Sequence, residues 1–123
     1  MAIKKSIVAV DDSGIVLQTL ESMLNDQYEF RGFTKATRAL NYMMMFPPAL
    51  AILDIDMPEV DGYVLLEMIR GNAELRNLPV IFLTSNKDRN YVVKAVKYGE
   101  NDYVVKPMQK EILISKIESL LQK

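Results

Sequence analysis

Cysteine and histidine are both absent from the 123 residues. Their absence removes disulfides, thiolate zinc sites, sulfur or imidazole nucleophiles and any imidazole general base in one step. An excess of charge of either sign is missing too, since 15 Lys and Arg against 16 Asp and Glu leave a net charge of −1. No basic field invites nucleic acid, and no polyacidic tail suggests a solvating role. No apolar run approaches the ~18 residues of a membrane span, and Met1-Ala2-Ile3-Lys4-Lys5 enters a strand-like segment without an apolar signal region. The expectation is a soluble, cytoplasmic protein without membrane or nucleic-acid contacts, folded as one domain over residues 1–123. Its chemistry is left to carboxylates, lysine, hydroxyls and tyrosine.

What the chain does have is a series of short apolar runs, most of them ending in a polar group. Ile7-Val8-Ala9-Val10 is β-branched and continuous, the pattern of a strand buried on both faces, and it ends at Asp11-Asp12-Ser13. Val16, Leu20, Met23 and Leu24 then recur at helical spacing, with Ser13 or Asp12 as the N-cap. Tyr28 to Gly32 reads as a second strand, and Lys35 to Met45 as a helix with Ala36, Ala39, Leu40 and Met43 on one face; Phe46-Pro47-Pro48 ends it. The Met43-Met44-Met45 run reads as adaptable core filling. Ala51-Ile52-Leu53-Asp54 is the third strand, and Leu65, Met68 and Ile69 mark the helix that closes near Gly71-Asn72. Val80-Ile81-Phe82-Leu83 is the fourth strand, ending at Thr84-Ser85, followed by a helix over Asp88 to Tyr98 that stops at Gly99. Tyr103-Val104-Val105 is the fifth strand, ending at Lys106-Pro107, and the last helix, from Gln109 to Gln122, turns Leu113, Ile117, Leu120 and Leu121 inward. Five strands alternating with five helices imply an α/β fold, a doubly wound parallel sheet with right-handed crossovers.

In such a sheet, ligands bind beyond the carboxyl ends of the strands. Here that rim would carry Asp11 and Asp12 after the first strand, Asp54 after the third, Thr84 after the fourth and Lys106 after the fifth. Three carboxylates at one place repel by ~1 kcal/mol per pair at about 4 Å in water and by ~4 kcal/mol at an intermediate effective dielectric, so they need a cation or protons. Mg²⁺ suits such an oxygen set, because it keeps waters that a phosphoryl oxygen can replace. A lysine and a threonine hydroxyl complete a phosphoryl-binding group, leaving Asp54 as the nucleophile for an aspartyl phosphate.

On these residues the chain resembles the response-regulator receiver domains of two-component phosphorelays. The matching marks are Asp11-Asp12-Ser13, Asp54-x-x-Met57-Pro58-x-x-Asp61-Gly62, Thr84-Ser85 and Gly99-x-x-Asp102-Tyr103-x-x-Lys106-Pro107. The resemblance covers essentially the whole chain and implies a flavodoxin-like strand order, 2-1-3-4-5. It also implies a phosphorylation-dependent signalling switch, not an enzyme, although one that assists its own aspartyl phosphorylation and dephosphorylation. Asp54 would accept the phosphoryl group from a sensor histidine kinase or phosphotransfer protein. Asp12, Asp54 and the backbone carbonyl of Asp56 would ligate Mg²⁺, with Asp11 holding a metal-bound water. Lys106 would bind a phosphoryl oxygen, followed by a cis peptide bond to Pro107. Thr84 and Tyr103 would be the switch residues, moving together and altering the surface of the fourth helix, fifth strand and fifth helix toward a downstream effector or output domain. After the last helix no room remains for an output domain, so the expectation is a stand-alone receiver or the N-terminal module of a longer regulator.

The sequence departs from the family pattern at Tyr98 and Glu100, where small residues usually flank the glycine. Asp56 and Asn86 stand at positions that in this family tune the phosphoryl lifetime. Ile114, with Tyr91 and Tyr98, is the expected patch for a partner or a phosphorylation-dependent homodimer. Two other classes compete. Asp54-Ile55-Asp56 also matches the core of haloacid-dehalogenase-like phosphatases, but there the acid pair follows that motif, Thr or Val replaces Pro58, and a cap domain is common. A phosphorylation-independent scaffold is the other reading, and such a module would be expected to have lost Asp54 or Lys106.

Overall fold

The computed structural model describes residues 3–57, 60–85 and 101–122. Strands β1 (Ser6–Val10), β2 (Glu29–Phe33), β3 (Leu50–Asp54), β4 (Val80–Thr84) and β5 (Asn101–Val105) form one sheet in the order β2-β1-β3-β4-β5. Every pairing is parallel, which gives the flavodoxin-like arrangement that the resemblance implied. Helices α1 (Gly14–Leu24), α2 (Ala36–Met45), α3 (Gly62–Arg70) and α4 (Lys110–Leu121) connect or follow the strands. The helix expected over Asp88 to Tyr98, with Tyr91, Asn86, Gly99 and Glu100, lies outside the described residues, as do Pro58 and Glu59. Among the described residues no helix is long and apolar enough to cross a membrane.

The two faces of the sheet generate two cores, as strand alternation requires. Val8, Val10, Ala51, Leu53, Val80 and Phe82 point to one side, where α2 and α3 cover them. Ile7, Ala9, Leu50, Ile52, Ile81, Leu83 and Val104 point to the other, covered by α1 and α4. The central strands β3 and β4 are buried throughout, whereas β2 at the edge is half exposed.

Several sequence expectations are corrected. Leu65 and Ile69 are buried in α3 together with Gly62, Tyr63 and Leu66, but Met68 is exposed. Of the three consecutive methionines only Met43 enters the core; Met44 and Met45 face out, because successive helical positions lie about 100° apart and cannot share one side. Ile114 is half-buried against the second core, and its neighbour Ile112 is the exposed one. Leu40 and Leu121 flank their cores rather than entering them fully.

Candidate functional site

Strand register builds the site. Val10 pairs with Leu53 and Leu83 pairs with Asp54, so the residue after Val10 arrives beside Asp54 at the rim. Thr84 pairs with Val105, and the Lys106 amide donates to the Thr84 carbonyl at 2.7 Å, bringing the lysine to the same edge. Continuing the alternation of each strand, Asp11, Asp54 and Lys106 share the face of the second core. Thr84 and Tyr103 fall on the face of the first core, and the Tyr103 ring packs against that core.

The contacts bear out the register. Lys106 Nζ lies 2.9 Å from Asp11 Oδ2 and 3.4 Å from Asp54 Oδ1. Asp11 is fully buried and Asp54 is 2% exposed, while Asp12 and Asp56 are exposed. The Ser13 amide donates to Asp11 Oδ1 at 2.9 Å, and the Ser13 hydroxyl accepts from the Val16 amide as the N-cap of α1. The same short turn therefore fixes Asp11 and starts the helix. The Asp56 amide donates to Asp54 Oδ1 at 3.2 Å.

Burial pushes the Asp54 carboxyl above its ordinary value, the neighbouring Asp11 charge pushes it the same way, and Lys106 and the Asp56 amide oppose both. Burial would lower the Lys106 ammonium, but the adjacent Asp11 and Asp54 outweigh it and hold the pKa above the usual lysine value.

Carboxylate oxygens of Asp11, Asp12 and Asp54 all lie within 4.8 Å of one another. Asp11 Oδ2 is buried and faces the Lys106 ammonium. One ammonium facing three carboxylates leaves negative charge over, and an all-oxygen donor set of this kind fits a hard divalent cation such as Mg²⁺. A cavity of about 350 Å³ opens beside Lys106 between Ile15, Val16 and Thr19 on α1 and Pro107 and Met108 after β5. The Lys106-Pro107 peptide bond is cis, as the resemblance implied.

Two site features were not read from the sequence. Gly62 enters the sequence reading only as a motif residue, yet a Cβ there would stand 2.7 Å from the Asp54 carbonyl oxygen and 2.9 Å from Ile55 Cα. Its hydrogen-only side chain lets the start of α3 lie against the backbone that carries Asp54, and the Gly62 amide donates to the Ile55 carbonyl at 3.0 Å. Lys116 was not singled out either. Its ammonium reaches Asp102 Oδ1 at 2.9 Å and the Tyr103 carbonyl at 2.8 Å, and lies 4.5 Å from the centre of the Tyr103 ring. An acid before the tyrosine and a basic residue one helix later is the only trace of that arrangement in the sequence.

The family model for the response regulator receiver domain matches residues 7–118. The chain belongs to this family. Response regulator Rre1 of Synechocystis is 33% identical to this receiver domain over 123 residues, covering 98% of the chain and 53% of its own length. The chain thus spans about half the length of that relative. Chemotaxis protein CheY of Pseudomonas aeruginosa is 29% identical and covers 95% of the chain and 96% of its own length. Among solved structures, the signal receiver domain of a signal transduction histidine kinase from Syntrophus aciditrophicus superposes with a TM-score of 0.84 at 32% identity. That superposition covers 96% of this chain and 90% of the other. Receiver domains are signalling modules of two-component systems, and the acidic rim found here is the kind of pocket in which they hold Mg²⁺.

Proposed function

We propose that this receiver domain takes a phosphoryl group onto Asp54 from a phosphohistidine of a sensor histidine kinase or phosphotransfer protein. The observation that carries the reading is the convergence of Asp11, Asp12, Asp54 and Lys106 at one rim, with Lys106 within 3.4 Å of Asp54. An Asp54 oxygen attacks phosphorus in line, the P–N bond breaks, and the imidazole leaves with that electron pair. Lys106 faces an oxygen of the transferring group and Thr84 offers it a hydroxyl, so charge developing on the equatorial oxygens meets fixed donors. Asp12, Asp54 and the Asp56 carbonyl, with Asp11 behind them, would hold Mg²⁺, which would neutralise the carboxylates and the phosphoryl oxygens. The apolar rim at Ile15 and Met108, beside Lys106, supports a protein donor, since it gives such a donor an uncharged surface next to the reacting group.

Phosphorylation then biases an equilibrium in which Thr84 and Tyr103 reorient, and the altered surface around β5 and α4 regulates an effector or an output domain. Acetyl phosphate or phosphoramidate with Mg²⁺ tests the reading by intact mass. One phosphate should be added to the parent chain and none to Asp54→Asn. A parent that stays unmodified would leave the scaffold reading, and multiple turnover of a phosphate monoester would favour the phosphatase reading.

A further inference from the structure

Lys116 links the two sides of the sheet at its free edge, and nothing in the phosphoryl site accounts for it. β5 ends the sheet and pairs with β4. The Lys106 amide turns toward β4 to meet the Thr84 carbonyl, so the amide and carbonyl of Tyr103, an odd number of positions away, turn out of the sheet. One ion pair takes both outward groups. The Tyr103 amide donates to Asp102 Oδ1 at 2.8 Å, and the Lys116 ammonium donates to the Tyr103 carbonyl at 2.8 Å and to Asp102 Oδ1 at 2.9 Å. Lys116 stands on α4 beside Ile117 of the stripe that enters the second core, whereas the Tyr103 ring packs against the first. The lysine therefore reaches round the edge strand, and its ammonium rests 4.5 Å from the centre of that ring. A lysine at a sheet edge commonly prevents pairing with another chain, and the backbone bonds fit that role. The ring contact adds another.

Building on the proposed role of Tyr103 as a switch residue, we infer that Lys116 is a positioning residue that holds the Tyr103 ring in its resting orientation and so limits how readily phosphorylation turns it. The ammonium is pinned by hydrogen bonds to the Tyr103 carbonyl and the Asp102 carboxylate, both fixed to the strand. Rotation about the Tyr103 Cα–Cβ bond moves the ring but neither anchor. The lysine cannot follow. Its attraction for the ring face is therefore present in the observed orientation and lost once the ring leaves the ammonium. A cavity of about 350 Å³ bounded in part by Tyr103, Gln109, Ile112 and Lys116 leaves the ring space to turn. A contact made in only one of two states biases their ratio by its own free energy, and for a partly exposed ammonium on an aromatic face that is about two- to fivefold.

The test combines fluorine NMR of the 3-fluorotyrosine-labelled chain with phosphorylation by acetyl phosphate and Mg²⁺, followed by intact mass. Loss of a signal in Tyr103→Phe assigns the Tyr103 resonance, and the parent with beryllofluoride and Mg²⁺ gives its position with the ring turned. In the free protein, Lys116→Met and Lys116→Gln should both move the resonance toward that position. Glutamine can still bond the Tyr103 carbonyl but has no charge, so it separates the ring contact from the edge bond. Both variants should be phosphorylated about two- to fivefold faster, because more of the population already holds the turned ring. Lys116→Arg, which keeps the charge, should behave as the parent. In a Tyr103→Leu background the gain in rate should vanish, since no ring remains to be held. Circular dichroism matching the parent confirms that each variant folds. A resonance unmoved in both uncharged variants, an arginine variant that resembles methionine, or a rate gain that persists with Tyr103→Leu would each overturn the inference while leaving the receiver reading intact. A parent that takes no phosphoryl group would overturn both.

Discussion

Lys106 holds Asp11 more closely than it holds Asp54, at 2.9 Å against 3.4 Å. The deeper of the two acids thus takes most of the ammonium, and Asp54, the one at the mouth, is left less well neutralised. Its carboxyl is accordingly raised above the ordinary range, first by burial and then by the Asp11 charge. An arrangement of this kind stores electrostatic repulsion at the point where a cation and a phosphoryl group would enter.

Replacing Lys106 by methionine keeps the stem and removes the charge. Two buried carboxylates then lack a counter-ion, and because the lysine side chain is 24% exposed the full cost of an orphaned buried charge is not reached. Unfolding free energy at pH 7 without Mg²⁺ should fall by about 1 to 3 kcal/mol, with the deficit shrinking in acid as Asp54, whose pKa is raised, protonates. Urea titrations at neutral and acid pH measure both. Phosphorylation by acetyl phosphate should slow by at least about tenfold.

Asp54→Asn should stabilise the Mg²⁺-free protein at neutral pH. A carboxyl whose pKa is raised on folding binds more protons folded than unfolded between the two values, so its contribution to stability is present below the unfolded pKa and is lost as pH rises through the folded one. Asparagine escapes that loss. The gain over the parent should be largest above the raised Asp54 pKa and vanish near and below pH ~4, where the unfolded carboxyl also protonates. Lys106, whose pKa is likewise raised, contributes stability below its unfolded pKa of 10.5 and loses it only as the solution becomes more alkaline than that. The Asp54→Asn comparison at pH 4 to 8 is therefore free of it. A thermal series across that range that shows no pH dependence of the difference would contradict the carboxylate account.

Mg²⁺ should raise the melting temperature of the parent by mass action, the stabilisation reaching about 2.7 kcal/mol at a free concentration a hundredfold above the dissociation constant. Asp12 is the exposed member of the carboxylate cluster, so Asp12→Ala relieves repulsion and should leave the metal-free protein as stable as the parent or more stable by about 1 kcal/mol. The same substitution should remove most of the Mg²⁺-induced shift. Calorimetric scans with and without EDTA distinguish the two effects, and an Asp12→Ala protein that responds to Mg²⁺ like the parent would rule out this ligand set.

Gly62→Ala adds one carbon 2.7 Å from the Asp54 carbonyl oxygen and 2.9 Å from Ile55 Cα, and both obstacles are backbone. Neither can rotate away, so α3 and the loop after Asp54 must move apart. A loss of about 1 to 3 kcal/mol in urea is expected, together with slower phosphorylation because the displaced segment carries the acceptor. Gly14→Ala is the control, since a Cβ there meets nothing within 4 Å.

Much of this architecture was legible from residue order. Continuous β-branched runs such as Ile7 to Val10 and Val80 to Leu83 marked the central strands because burial on both faces leaves no alternation to read. Helix faces were legible to within one flank. In α4, Leu113, Ile117 and Leu120 formed the evident stripe, but Ile112 and Ile114 sit on opposite sides of it. Nothing local says which flank meets a neighbour. The second core took in Ile114 and left Ile112 exposed, so the exposure expected at Ile114 falls at Ile112 instead. Met68 failed for the same reason: Gly62, Leu65, Leu66 and Ile69 set the centre of the buried arc in α3, and Met68 fell outside it.

The amino-acid order alone determined which group stands at the end of each strand, because hydrophobic periodicity and turn chemistry act over a few neighbouring residues. That order is enough to put Asp11, Asp54, Thr84 and Lys106 at strand ends on one rim of a parallel sheet. Which of them touch was decided only in three dimensions. Pairing register joins residues 21 to 43 positions apart, and it put the lysine on Asp11 first and pressed Gly62 against the Asp54 backbone. Distances between side chains follow from how whole elements stack, and a one-dimensional pattern holds no information on that until the core has closed.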